Sequence, residues 1–304
     1  MAHCVVPDAE SILDREYPVL DKGFVRLVDY MGGDGRVVQS ARVSYGSGTK
    51  TRREDAALID YLIRNSHTSP FEQVILTFHV KLPVFVARQW VRHRTARLNE
   101  VSGRYSVMKD EFYLPAPEDL ALQSPDNKQG RSNETLAPEQ AEQIRGAFAE
   151  GQRSAYAAYS SLVDEGIARE LARINLPLSL YTEWYWQIDL HNLFHFLELR
   201  LDLHAQKEIR LYAGVLLEIA KKVAPVCCGS FEQHVLKGLR FSGDELSELR
   251  RRLGLCGPGE TREAGDDAAS GNTGGLSGKA LSEKVLSEKA LERFEEKLRS
   301  GRQL

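Results

Sequence analysis

Cysteine is scarce in this chain: there are four in 304 residues, at positions 4, 227, 228 and 256, and two of them are adjacent. That number and spacing suit neither a disulfide framework nor a Cys-x-x-Cys zinc site, and they point to a reducing cytoplasm. Long apolar runs are missing too. Nowhere do eighteen apolar residues follow one another, and the first ten residues lack a basic segment leading into an apolar one, so neither a membrane span nor an export signal is expected. Phosphate-binding glycine loops are absent: Gly32-Gly33-Asp34-Gly35-Arg36 lacks the G-x-G-x-x-G spacing, and no G-x-x-x-x-G-K-[ST] occurs. Any dinucleotide must then be held by side chains. The chain also lacks an excess of positive charge. With 40 basic against 43 acidic residues and a pI near 6.3, it has no broad basic face for counterion-driven nucleic-acid binding, and no nucleic-acid partner is expected.

What is present is a local exception to that neutrality. Between Arg88 and Arg104 lie five arginines (88, 92, 94, 97 and 104) and one acid, Glu100, a local charge of +4 in a chain of −3. Crowding like charges brings no stability, so the cluster suggests an anionic ligand, and Arg grips phosphate or a pyrimidine edge in a planar, bidentate way. Asn99, Glu100 and Ser102 add acceptors and neutral donors that a bare phosphate clamp does not need. The mixture looks like a site that reads a nucleotide. A solvated helix end, with Arg88 and Arg92 on one face, is the plain alternative.

Periodicity places these residues on elements. Phe24 to Tyr30 reads as a strand running into the Gly32–Gly35 turn, and Val74, Leu76, Phe78 and Val80 form one face of another strand, with Thr77 and His79 on the other. Val37, Val38 and Ala41, then Ala57, Leu58, Tyr61 and Leu62, mark two short helices on either side of the stretch 46–51. Pro83 opens a helix that delivers Arg92, His93 and Arg94 at its C-terminal end, where cations are favoured. A Pro-, Asn- and Gln-rich loop spans about 115–137. A long amphipathic helix runs from Pro138 to Val163, weakened in its middle by Gly151. A short helix over 167–175, an aromatic strand over 181–188, helices over about 190–201 and 205–223, and a capping box at Ser242 to Glu245 complete an α+β pattern. From about 257 the chain turns to Gly, Ser, Thr, Asp and Asn. It then repeats Leu-Ser-Glu-Lys at a five-residue spacing that spirals leucines around a helix, so 257–304 reads as a flexible linker and a charged helical tail.

A second constellation runs from Asp189 to Gln206. His191 and His195 are four apart, as a zinc pair would be, although the zinc-hydrolase motif puts Glu where Asn192 stands. A metal-dependent enzyme built on these two histidines is one alternative function, and an RNA-binding module using the Arg88–Arg104 cluster with Trp90 is another. Cys227 and Cys228 follow Pro225-Val226, outside both constellations, and read as packing residues.

Arg92-His93-Arg94, seven residues, then Ser102 and Gly103-Arg104-Tyr105-Ser106 resembles the RHR-x7-S signature of the flavin-dependent thymidylate synthases. Leu20–Gly23, Ala41–Ser44, His67–Glu72, Val86–Trp90, Leu171–Pro177, Leu199-Arg200 and His204–Gln206 are similar to that family in the same order, over about 20–240. The resemblance implies an α+β fold of the thymidylate synthase-complementing type, a mixed sheet with packed helices, in a homotetramer with shared active sites. It divides the chain into an N-terminal extension (1–19), a catalytic domain (20–240), a C-terminal helix (241–256) and the tail (257–304). It implies reductive methylation of dUMP to dTMP, with FAD as cofactor and NADPH and methylenetetrahydrofolate as co-substrates.

Residue by residue, Ser69, Arg92, His93, Arg94, Glu100, Asp189, Leu190, His191 and His195 resemble flavin-binding positions, and His67 a position near the flavin. Gln89, Trp90, Val91, Arg92, Glu100, Val101, Ser102, Gly103, Arg104, Arg173 and Arg200 resemble positions that bind dUMP. Arg200 also resembles the catalytic residue that promotes ionisation of the uracil N3. An Arg is no base at neutral pH, but it holds a fixed positive charge against a developing anion. A covalent role for Ser102 requires a base, and His93 is the only candidate near it in sequence.

Overall fold

The computed structural model describes residues 5–43, 52–125 and 130–253, together with Leu291, Glu292, Phe294, Glu295 and Leu298. Cys4, Ser44, the stretch 46–51, Cys256 and the Leu-Ser-Glu-Lys repeat lie outside the described residues. The chain forms two compact units, one up to Leu236 and one from Lys237.

In the first unit, strands β1 (Tyr17–Val19), β2 (Gly23–Met31), β3 (Ile75–Pro83), β4 (Arg97–Glu100) and β7 (Tyr181–Asp189) form one sheet in the order β1-β2-β3-β7-β4. Helix and sheet are mixed as expected, but the sheet itself is not. Each of its strand pairs is antiparallel, and the only parallel contact among the described residues is an isolated bridge from Leu13 to Leu27. The alternation in β3 sets the core. Leu76, Phe78 and Val80 are fully buried and stand opposite Ile188, Trp186 and Trp184 of β7, while Val25 and Leu27 of β2 face Val80 and Phe78 on the other side. A one-residue slip would turn every one of these side chains outward, so burial of one face fixes the register.

That face is covered by α4 (Val84–Trp90), α7 (Leu190–Arg200) and α8 (Lys207–Val223). Helix α8 buries Ile209, Tyr212, Ala213, Leu216, Ala220 and Val223, which recur at the three- and four-residue spacing of one helical stripe. Tyr212 reaches the sheet to donate to the Lys81 carbonyl at 2.7 Å. Gly23 is needed there, because a Cβ on it would lie 2.0 Å from the Tyr212 hydroxyl.

Of the expected N-terminal extension, the described residues 5–19 are not peripheral. Helix α1 (Pro7–Glu10) and β1 supply Ala9 and Val19 to the core, with Ile12 between them, and β1 is the edge of the sheet. Helix α2 (Asp34–Arg42) buries Val37 and Val38 as expected. Helix α3 (Arg52–Arg64) buries Ile59 and Leu62, with Ala57 and Tyr61 exposed, so its inner face is rotated from the one anticipated. The expected loop over 115–137 contains the two-stranded pairing of β5 (Ala121–Gln123) with β6 (Arg131–Thr135). Then come α5 (Pro138–Asp164), α6 (Arg169–Ala172) and, after α8, α9 (Pro225–Phe231), which buries Cys227 and Cys228 completely. Burial pushes both thiols up, so they are inert packing residues.

In the second unit, α10 (Gly243–Arg252) begins at a complete capping box between Ser242 and Glu245. Phe294 is fully buried there, edge-on to Phe241 with ring centroids 6.1 Å apart and beneath the Arg252 guanidinium. The tail expected to be merely charged therefore contributes an apolar anchor.

Candidate active site

Helix α4 explains how the arginine cluster is presented. Its first two amides donate to the Leu180 and Leu178 carbonyls, and Val86, Ala87 and Trp90 turn inward. Trp90 is 0% exposed, within 6.0 Å of the rings of Trp184, Trp186, Phe196 and Tyr212. Its side chain thus belongs to the core, which leaves only its backbone for a ligand, and it cannot stack on an RNA base. The helix ends at Val91, which is partly exposed, and releases Arg92, His93 and Arg94 toward α7.

There they wall a cavity of about 410 Å³ with Thr95, Ile188, Asn192, His195, Leu199 and Arg200. Three arginines and two histidines line it, and no carboxylate does. Neither Arg92 nor Arg94 has an ion pair or hydrogen bond among the described residues. Burial lowers the Arg200 pKa, yet an Arg stays charged at neutral pH. Its Nε donates to His93 Nε2 at 3.0 Å, and its Nη2 to the Gln89 carbonyl at 3.4 Å. The His93 ring must therefore be neutral and carry its proton on Nδ1. Burial, then the Arg200 charge, then His195 bring its pKa down to about 4.

Helix α7 turns its Asn192, His195 and Leu199 face to the cavity, so His191 does not line it. Asp189 is the helix cap, accepting from Asn192 N at 2.9 Å and Asn192 Nδ2 at 2.7 Å. Leu190 is fully buried in the core, which leaves only its backbone for a ligand. Ser69 lies in the loop before Phe71, outside the cavity lining, and so does the exposed Glu100 of β4. Among the described residues no three His, Cys, Asp or Glu side chains are grouped to hold a metal, so nothing completes a site around His191 and His195.

The remaining nucleotide candidates sit elsewhere. Strand β4 runs from Arg97 opposite Gln187 to Glu100 opposite Trp184, putting about 10 Å of strand between the cavity and the segment from Val101 onward. Glu100 accepts from the Thr182 hydroxyl at 2.6 Å, and Val101 N donates to the Glu183 carbonyl. Ser102 then starts a tight turn in which Tyr105 N and Ser106 N both donate to its carbonyl, while its hydroxyl accepts from Arg104 N at 3.3 Å. Because His93 is bonded to Arg200, it is not the base a covalent Ser102 requires.

Helix α6 and the turn after it clamp this segment. Arg169 donates to the Tyr105 carbonyl at 2.7 Å, Glu170 pairs with Arg104 at 3.0 Å, and Arg173 packs so closely on Gly103 that a Cβ there would lie 3.0 Å from its Cδ. Arg104 lines a separate cavity of about 450 Å³ with residues of α6 and shares no wall with the first. Gln89 donates from Nε2 to Gln206 Oε1. Sequence reasoning missed Thr95, Ile188, Asn192 and Leu199 as wall residues. The helical phase they share with His195 could have signalled Asn192 and Leu199, whereas Thr95 and Ile188 carry no such signal.

Among the described residues no helix is long and apolar enough to cross a membrane. A family model described as "Thymidylate synthase complementing protein" matches residues 26–226, and one described as "Thymidylate synthase ThyX C-terminal domain" matches 239–304. The chain is 62% identical over 292 residues to a flavin-dependent thymidylate synthase of Treponema denticola, covering 96% of this chain and 100% of that one. It is 57% identical over 303 residues to the Treponema pallidum protein of the same name, covering 100% and 91%. A solved structure of a UMP/dUMP methylase, PolB from Streptomyces cacaoi, bound with 5-Br dUMP, superimposes with a TM-score of 0.66 at 32% identity, covering 72% of this chain and 98% of that one.

Proposed function

This chain belongs to the flavin-dependent thymidylate synthase family, and on that premise we propose how its residues divide the work of methylating dUMP to dTMP. FAD is the cofactor, methylenetetrahydrofolate gives the carbon, and NADPH is the reductant. When bound, FAD supplies the hydride that completes the methyl group. The observation that carries the assignment is the cavity walled by Arg92, His93, Arg94, His195 and Arg200 with no carboxylate. Two arginines without protein partners among the described residues fit a cofactor with two phosphates, and the neutral His93 ring adds donor and acceptor capacity without further charge.

Arg200 is held by His93 and by the Gln89 carbonyl, so its guanidinium is fixed before substrate arrives. It stabilises negative charge developing on the uracil ring, a preorganised contribution of about 10²-fold or more in rate. Gln89, Arg92, Glu100, Val101, Ser102, Gly103, Arg104 and Arg173 bind the nucleotide, with Arg104 and Arg173 toward its phosphate. Ser102 acts as a hydrogen-bonding group and not as a nucleophile. Because the flavin cavity and the Ser102–Ser106 turn sit on separate walls of one chain, the reading includes a homotetramer in which one copy's turn completes another's cavity.

The test is a spectrum and an assay on the purified chain. A flavin absorbance is expected, with anaerobic NADPH oxidation that depends on dUMP and a mass in solution of four chains. A colourless protein that FAD cannot reconstitute would falsify the assignment, and a monomer with full activity would remove the shared site.

A further inference from the structure

Helix α5 buries little for its length: of its 27 residues only Ala141 and Tyr159 are buried. Its side chains instead bond to the backbone of the segment 108–115, which follows the Ser102–Ser106 turn. Arg145 donates to the Pro115 carbonyl, Gln152 to the Tyr113 carbonyl at 2.9 Å and Tyr156 to the Met108 carbonyl at 3.0 Å. The Tyr159 hydroxyl accepts from Met108 N at 2.9 Å. Positions 152, 156 and 159 lie about two, three and four helical turns beyond 145, so all four share one face. A helix has no free backbone groups in mid-length to pair with a passing chain, and the partners must come from its side chains.

Met108 is gripped on both sides. The peptide groups before and after its Cα are each tied to a phenol, which fixes the course of the chain two residues beyond the turn. The two rings are three residues apart on α5 with centroids 5.7 Å apart, and Tyr159 is only 2% exposed. Burial, then Asp110 and Tyr159, push the Tyr156 pKa up, so its hydroxyl stays a donor at neutral pH. On the other side of the turn, Val101 N is held by the Glu183 carbonyl. Between these two anchors Arg104, Tyr105, Ser106 and Val107 are exposed, so burial of the turn's own side chains does little to place it. Its buried residue is Gly103, and Met108 meets the turn there a second time: a Cβ on Gly103 would lie 2.9 Å from Met108 Sδ.

We propose that Tyr156 and Tyr159 are positioning residues for substrate recognition, a role that rests on the nucleotide-binding reading of the Ser102–Ser106 turn. By gripping both peptide groups of Met108 they set where Ser102, Gly103 and Arg104 stand, and with that the affinity for dUMP. They act through Met108 and leave the flavin cavity alone.

The test uses Tyr156→Phe, Tyr159→Phe and the double variant of the full, FAD-loaded protein, which keep the rings and so the packing. Calorimetric titration with dUMP should show Kd raised about three-fold or more in each single variant and about ten-fold or more in the double. KM for dUMP should rise in parallel, with kcat at saturating dUMP and the flavin spectrum unchanged. Hydrogen exchange over 101–109 should quicken in the free variants and slow again when dUMP is added, while exchange within α5 stays as in the parent. Arg173→Ala separates the two levels of the argument. If it leaves the Kd for dUMP unchanged, the nucleotide does not bind at this turn, and the proposal falls with that reading. If it weakens dUMP while both single Tyr variants bind as the parent does, the reading stands and the clamp alone is overturned. Tyr variants that melt earlier at unchanged Kd and KM also overturn it, since the hydroxyls then serve stability only.

Discussion

Replacing Arg200 by Ala tests the site at its centre. The guanidinium donates to His93 Nε2 and is, after burial, the second reason that this ring's pKa falls from an ordinary 6.5 to about 4. The folded chain takes up this proton only near pH 4, whereas the unfolded chain takes it up near 6.5, so folding stability is unaffected above 6.5 and declines as pH falls from 6.5 toward 4. The full shift corresponds to about 3 kcal/mol, and screening at a partly buried ring reduces this to about 1–2 kcal/mol. Arg200→Ala removes the charge but leaves the burial. His93 should then titrate closer to 6.5 by NMR, and part of the acid-induced loss of stability, read from urea unfolding at about pH 5 and pH 8, should disappear. Turnover of dUMP should drop by about 10²-fold or more while FAD stays bound. A variant that keeps most of its rate, or in which His93 titrates as before, refutes the arrangement.

Trp90→Ala should cost about 3–5 kcal/mol in urea unfolding, because it empties the contact between four aromatic rings; unaltered stability with a raised KM for dUMP would return Trp90 to the substrate site. Gly103→Ala places a Cβ 2.9 Å from Met108 Sδ and 3.0 Å from Arg173 Cδ. Both neighbours are flexible, so the melting temperature should hardly move. The displaced Arg173 should raise KM for dUMP by about ten-fold, and an unchanged KM would separate Gly103 from nucleotide binding.

The elements legible in the sequence are those with one buried face. The alternation Val74, Leu76, Phe78, Val80 announces β3, and Pro83 followed by a short apolar run announces α4 and the delivery of Arg92–Arg94. Strand β4 gave no such signal. All four of its residues are exposed, and its pairing with β7 is made by backbone groups whose partners lie far along the chain. The side chain of Trp90 was misplaced for the opposite reason: Arg92, His93 and Arg94 just after it line the cavity, but the helical phase it shares with Val86 turns it into the core.

The sequence alone determined the identity of the charged groups, their order, and the helix end that presents three of them, because these depend on residue type and local periodicity. Which of them meet was decided by tertiary structure. Arg200 reaches His93 across 107 positions, and Gln89 reaches Gln206 across 117. Such contacts exist only once α4, α7 and α8 have closed on one face of the sheet, and no spacing within a segment encodes them.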